Sequence, residues 1–315
     1  MRRRHLSDDQ MLNTFRGVFA AALTPLKSDL SVDDERLVSH CRWLLKNGCN
    51  GLAVLGTTGE ANSFSVFERI RILETLNDGG IPGEALMPGT GSCSFTDTVE
   101  LTRRAVELGA GGILMLPPFY YKEVSDEGLF ASYSEVVERI SDERLKIYLY
   151  HYPEMSGVSI SLNLIERLLK RYPNTIMGIK DSSGDFKNMT KLVQKFPDLD
   201  VFSGSDDLFL PLLKKGGVGC ITAVGNIACN LLARLYNSWY DGDDASKDLQ
   251  TQLTSIRMAA QNFPLSAGLK IVLAHFSGLK SWRLVRPPLV ALDDGQMIQL
   301  VKLLEAAGHK LPQLD

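Results

Sequence analysis

Lys180 closes a short apolar run, Thr175-Ile176-Met177-Gly178-Ile179, and is followed by the turn-like cluster Asp181-Ser182-Ser183-Gly184. A run rich in β-branched residues that ends this way reads as a buried strand. An ammonium at the rim of such a strand must reach water, pair with an anion or give up its proton. The last course leaves an amine that can condense with a ketone. An ion pair with Asp181 or another carboxylate is the competing outcome, and the local pattern does not choose between them.

Three other segments carry comparable chemistry. Gly56-Thr57-Thr58-Gly59-Glu60 follows the apolar stretch Leu52 to Leu55. Its glycines permit a tight turn, and its exposed N–H groups and hydroxyls suit a small carboxylate or phosphate. An ordinary turn with threonine caps fits the same residues. Tyr150-His151-Tyr152-Pro153-Glu154-Met155-Ser156-Gly157 places a tyrosine at another strand end. Such a tyrosine relays protons if a polar neighbour polarises it, or else simply borders the core. Pro117-Pro118-Phe119-Tyr120-Tyr121 ends a further apolar run, and aromatics on a loop commonly mean packing or a subunit contact.

The elements that must hold these groups alternate along the chain. Strand-like runs occur at Val18–Leu26, Leu52–Leu55, Ala85–Met87, Gly112–Leu116, Lys146–Tyr150, Thr175–Ile179, Val201–Ser203 and Gly219–Thr222. Helical patterns separate them, among them Phe64–Leu76, Asp97–Leu108, Asp126–Ile140, Leu162–Tyr172, Phe186–Phe196 and Leu208–Lys215. Eight such units predict a closed (β/α)8 barrel of the α/β class, with chemistry at the C-terminal ends of its strands. A doubly wound open sheet competes, but Leu23-Thr24-Pro25-Leu26 is no dinucleotide-binding turn. The expected organisation is a tail over residues 1–14, the barrel over 15–240 and a helical C-terminal extension over 241–315 packed on it.

Composition narrows the partners. The 315 residues are 44% hydrophobic and 23% charged, with a net charge of −3, as for a globular protein with no bias toward nucleic acid or anionic membranes. The basic cluster Arg2-Arg3-Arg4-His5 is soon followed by Asp8 and Asp9 and reads as a solvated tail. Five scattered cysteines form no C-x-x-C pair, which argues against disulfides or zinc and for a reducing cytoplasm. Neither a signal core nor a membrane-length apolar stretch is visible. His151 and His275 sit in apolar surroundings and read as structural.

In this order, the Gly-Thr-Thr-Gly-Glu turn, the Tyr-x-x-Pro strand end about 90 residues later and the Gly-Ile-Lys-Asp strand end about 30 residues further resemble the N-acetylneuraminate lyase / dihydrodipicolinate synthase family. The resemblance runs from about Val18 to Pro288. It implies a barrel with a helical tail and a class I lyase. Lys180 would form a Schiff base with pyruvate or another 2-keto acid, and the imine is the electron sink, so neither metal nor cofactor is required. It further implies that Thr57 and Thr58 hold the keto-acid carboxylate and that Tyr150 moves protons with its hydroxyl near Thr57. Tyr121, or Tyr120 in the alternative register, would enter a neighbouring subunit's site within a homotetramer built as a dimer of dimers.

Two departures bear on the substrate. The resemblance calls for an arginine two residues after the proline of Tyr-x-x-Pro in a synthase, and Met155 stands there. Methionine offers no bidentate contact to a carboxylate. The Pro-x-x-Ser-Gly form is more similar to the aldolase branch, in which Gly204, Asp206 and Asp207 match residues holding sugar hydroxyls; Ser182, by its nearness to Lys180, is a further candidate to face those hydroxyls. Asp206 and Asp207 also suit the start of a helix. Val66 and Arg69 replace the histidines of lysine-regulated synthases, so feedback inhibition by lysine is not expected. The expected activity is cleavage of a 2-keto-3-deoxy sugar acid, or a related 4-hydroxy-2-keto acid, to pyruvate and an aldehyde. Condensation of pyruvate with aspartate semialdehyde to 4-hydroxy-tetrahydrodipicolinate, dehydration of a keto-deoxy sugar acid and non-catalytic keto-acid sensing are the alternatives.

Overall fold

A computed structural model of the chain describes residues 15–310, so the expected tail and its basic cluster lie outside the described residues. The strands are β1 Gly17–Ala20, β2 Gly51–Leu52, β3 Ile113–Met115, β4 Ile147–His151, β5 Ile176–Asp181, β6 Asp200–Ser203 and β7 Gly219–Thr222. All pairings among them are parallel, in the order β2-β1-β7-β6-β5-β4-β3. The remaining expected strand, near Ala85–Met87, is reduced to two parallel bridges, Leu52↔Leu86 and Gly89↔Leu114. Met87 and Gly89 donate to Leu52 and Val54, while Leu114 donates to the Pro88 carbonyl and Thr90 to that of Leu114. This segment therefore fills the gap between β2 and β3 and closes the ring. Pro88 has no N–H to give, which interrupts the ladder there.

The barrel helices are α1 Asp34–Lys46, α2 Val66–Asp78, α3 Phe95–Glu107, α4 Asp126–Ile140, the single turn α5 Pro153–Ser156, α6 Leu162–Arg171, α7 Phe186–Lys195, α8 Phe209–Lys215 and α9 Gly225–Asp241. Local chemistry starts most of them. Asp33, Ser94, Ser125, Ser161 and Asp185 cap α1, α3, α4, α6 and α7 by accepting from a first-turn N–H, and Ser65 with Glu68 forms a full capping box on α2. The C-terminal extension adds α10 Ala245–Ala260, α11 Leu265–Ser277 and α12 Asp294–Ala306. Helix α10 packs on α9 and on the loop after β6, and α11 packs on α12 and on the 3-10 turn Lys280–Arg283.

Strand alternation divides the core into two parts. Val18, Ala20 and Cys220 point outward to the helix layer, whereas Phe19, Tyr148, Tyr150, Phe202 and Ile221 gather inside the barrel. The inner floor is aromatic: Phe15, Phe19, Tyr148 and Phe202 lie with ring centroids 5.2–5.9 Å apart. Arg16 and Asp200 pair at 3.2 Å at the same end. Burial pushes the Asp200 carboxyl up to about 6 against the opposing pull of Arg16.

The first strand is shorter than the expected Val18–Leu26. It stops at Ala20 because a buried side chain takes over its backbone. Asn226 on α9 donates to the Ala21 and Ala223 carbonyls and accepts from Leu23 N–H at 3.0 Å. His40 on α1 donates to the same Asn226 Oδ1 at 2.9 Å. Desolvation holds this fully buried imidazole down at about 4.

Candidate active site

Lys180 lies at the C-terminal end of β5, in register with Tyr150 on β4 and Phe202 on β6. All three side chains therefore share the inner face. Lys180 is 5% exposed, and its Nζ sits 4.3 Å from the centroid of the Tyr150 ring. The expected alternative pairing with Asp181 is not formed. Asp181 points to the other face, where its carboxylate accepts from Ser183 N–H and Oγ and from Asn188 Nδ2. Those bonds shape the turn after Lys180 and leave the amine inside the barrel facing an aromatic surface.

The Tyr150 hydroxyl is 3.4 Å from Thr57 Oγ1. That is a long hydrogen bond, of the kind that tightens when a ligand arrives. It joins the turn after β2 to Lys180 through one tyrosine. The backbone of that turn is tightly held: Gly59 has no room for a Cβ, which would lie 2.7 Å from the Ala22 carbonyl, and its own carbonyl accepts from Thr24 Oγ1 at 2.8 Å. Thr57 is partly accessible and Thr58 is buried beside it. Tyr152 stacks on Tyr150 with centroids 5.8 Å apart and extends the aromatic wall toward the mouth. His151 points away from this wall, where its Nδ1 accepts from Ile160 N–H at 3.1 Å, the structural role expected of it.

The remaining candidates are distributed unevenly. Ser182 and Gly204 meet at the ends of β5 and β6, where a Cβ on Gly204 would lie 1.9 Å from Ser182 Oγ. Asp207 is partly accessible and accepts from Ser205 Oγ. Asp206 is fully buried, with Arg257 of α10 as its ion-pair partner at 3.7 Å. Tyr120 and Tyr121 are 73% and 70% exposed, in an edge-to-face pair on the loop after β3. Met155 is exposed on α5, with no charge at that position.

Sequence reasoning missed the support behind the threonine turn. Glu60 adopts a left-handed conformation (φ 60°) and buries its carboxylate completely. One oxygen accepts from Lys270 Nζ of α11 and the other from Arg286 N–H at 2.9 Å. Lys270 also donates to the Leu284 carbonyl at 2.8 Å. Arg286 grips Glu68 with two N–H groups at 3.0 and 2.6 Å, which holds the Glu68 carboxyl down at about 2. The C-terminal extension thus clamps the turn bearing Thr57 and Thr58. A lone lysine within the apolar run Leu269-Lys270-Ile271-Val272-Leu273 was the available signal. Arg69 also has a structural role: buried on α2, it donates to the Gly89 carbonyl of the bridged segment at 2.8 Å.

A sequence model of the dihydrodipicolinate synthetase family matches residues 14–307. The chain belongs to that family. An uncharacterised DapA-like lyase of Chloroflexus aurantiacus is 35% identical over 287 residues, covering 90% of this chain and 94% of that one. A 4-hydroxy-tetrahydrodipicolinate synthase of Pelobacter propionicus is 31% identical over 299 residues, covering 93% and 99%. Among solved structures, YagE from E. coli K12 in complex with pyruvate superposes with a TM-score of 0.87 at 28% identity, covering 94% of this chain and 99% of that one. The protein is accordingly a carbon–carbon lyase of the pyruvate-dependent aldolase type. No helix among the described residues is long and apolar enough to cross a membrane.

Proposed function

We propose that the protein is a class I aldolase in which Lys180 forms a Schiff base with pyruvate or the pyruvyl half of a 4-hydroxy-2-keto acid. The carrying observation is the buried Lys180 amine over the Tyr150 ring, with the Tyr150 hydroxyl reaching Thr57. The amine adds to the C2 carbonyl, and loss of water from the carbinolamine gives an iminium. In the cleavage direction the C4 hydroxyl loses its proton as the C3–C4 bond breaks, and that electron pair enters the iminium to form an enamine. Protonation at C3 and hydrolysis release pyruvate, while the C4 fragment leaves as an aldehyde. In this reading Tyr150 and Thr57 would carry these protons, which their 3.4 Å hydroxyl contact supports, and Thr57 and Thr58 would hold the keto-acid carboxylate.

Met155 supports a sugar-acid type of second half, since it offers no guanidinium to a carboxylate and the ammonium beside α5, that of Lys122, is engaged with the Ser156 carbonyl at 2.7 Å. Ser182, Gly204 and Asp207 on the facing strand ends would meet the hydroxyls of such a substrate. The second reading is 4-hydroxy-tetrahydrodipicolinate synthesis, favoured by the names of relatives such as the Pelobacter propionicus enzyme. The exposed Tyr120-Tyr121 pair suits a contact that carries one of these rings to a neighbouring subunit's site in a cytoplasmic homotetramer. Borohydride reduction in the presence of pyruvate tests the central claim. A three-carbon adduct on the peptide containing Lys180 is expected, absent in Lys180→Ala; no adduct on the wild-type protein would sink the mechanism.

A further inference from the structure

Arg257 occupies an unusual place. It extends from α10 of the C-terminal extension onto the loop that follows β6, at the catalytic end of the barrel. The same helix fastens that loop at two further points: Gln250 Nε2 donates to the Asp206 carbonyl at 2.9 Å, and Gln250 Oε1 accepts from Leu210 N–H at 2.8 Å. The Arg257 side chain as a whole is 17% exposed although its Nε is buried, whereas the Asp206 side chain has no exposure at all.

The pair is chemically incomplete. Arg257 Nη1 is 3.7 Å from Asp206 Oδ2, beyond hydrogen-bonding range. Arg257 Nε is buried without an acceptor, and the Asp206 oxygens make no hydrogen bond of good geometry, the Thr222 hydroxyl being the donor that lies near enough to favour the ionised form. A buried ion pair stands only when further hydrogen bonds satisfy its remaining donors and lone pairs. Burial raises the Asp206 carboxyl while Arg257 pulls the other way, and the 3.7 Å gap leaves the two without a shared hydrogen bond. Arg257 favours ionisation of the Tyr152 phenol, against the larger opposing effect of burial, which puts its charge near the wall stacked on Tyr150.

We propose that Arg257 is a specificity residue that binds a carboxylate on the half of the substrate remote from Lys180, so that the aldehyde partner is an acid semialdehyde rather than a neutral aldehyde. This rests on the Schiff-base reading above and narrows its second substrate. A planar guanidinium with unmet donors takes a carboxylate in two parallel hydrogen bonds. The proposal supplies from a different element the guanidinium that Met155 lacks, and it applies whether the acid semialdehyde derives from a sugar acid or an amino acid.

The test uses the full chain with pyruvate and two aldehydes of equal length, succinic semialdehyde and butanal. The ratio of their kcat/KM values is expected to favour the acid by about ten- to a hundredfold, the range of charge-assisted hydrogen bonds. Arg257→Met should bring that ratio near unity while pyruvate is still trapped at Lys180. If removing the cation leaves Asp206 too costly to bury, the double variant Arg257→Met with Asp206→Asn removes both charges and gives the same readout. A wild-type ratio near unity, a ratio unchanged in the variants, or no turnover of either aldehyde by protein that traps pyruvate would overturn the proposal. Failure to trap pyruvate at all would instead sink the Schiff-base reading, and this proposal with it.

Discussion

Replacing Lys270 by methionine should unfasten the threonine turn from behind. In the native protein the fully buried Glu60 carboxylate holds two donors, Lys270 Nζ and Arg286 N–H. Methionine fills nearly the same volume as the lysine stem, so no sizeable cavity opens. What is lost is the counter-charge of a carboxylate with no access to water, together with the bond to the Leu284 carbonyl. Breaking a buried pair by removing one partner costs about 3–5 kcal/mol. With a urea m-value of about 3 kcal/mol/M, that is a midpoint lower by roughly 1 M or more. Glu60→Gln should weaken the fold too, and the double variant should be more stable than the sum of the two losses implies. Glu60 follows Thr58 by two residues in a left-handed conformation, so Lys270→Met should also raise the pyruvate concentration that half-saturates adduct formation. A midpoint within about 0.3 M of wild type (~1 kcal/mol), or strict additivity in the cycle, would show that the clamp does not act as argued.

Two further outcomes follow from the geometry. Tyr150→Phe retains the ring beneath Lys180 but removes the hydroxyl near Thr57, so kcat for pyruvate release should fall about 10²–10⁴-fold while pyruvate remains trappable at Lys180; an unchanged kcat would remove Tyr150 from the relay. His40 is held down at about 4 in the fold against 6.5 when free, so the unfolded chain binds more protons between these values and stability is lost as pH falls through that window. The loss is up to roughly 3 kcal/mol, read as the difference between wild type and His40→Gln in urea midpoints at pH 7.5 and 4.5. The difference is the quantity to read because Asp200, raised to about 6, acts with the opposite sign.

Much of the arrangement was legible in local pattern. β-Branched runs ending in turn clusters marked strand ends, and helical patterns marked runs such as Asp126–Ile140 and Leu162–Tyr172, whose starts the structure caps with Ser125 and Ser161. The barrel's C-terminal-face rule then put Lys180, Tyr150 and Thr57 at one end, and the register of β4 on β5 set the first two on one face. These inferences succeed because side-chain periodicity and turn chemistry are short-range properties. The same logic missed the shortened first strand, since Val18–Leu23 is apolar throughout and the strand's end is imposed by Asn226, about 200 residues away.

The sequence by itself determined the barrel, the ends of the strands that carry Tyr150 and Lys180 and the types of group that meet there, because each depends on residues within a few positions of one another. Tertiary structure alone decided which partner each buried charge found. It gave Asp181 to Ser183 and Asn188 and left Lys180 beside Tyr150. It joined Lys270 to Glu60 across 210 positions and set Arg257 against a buried Asp206 that the local pattern had offered to substrate or to a helix start. A buried charge must be met by whatever the packing of distant elements brings near it, and no local periodicity records which element that will be.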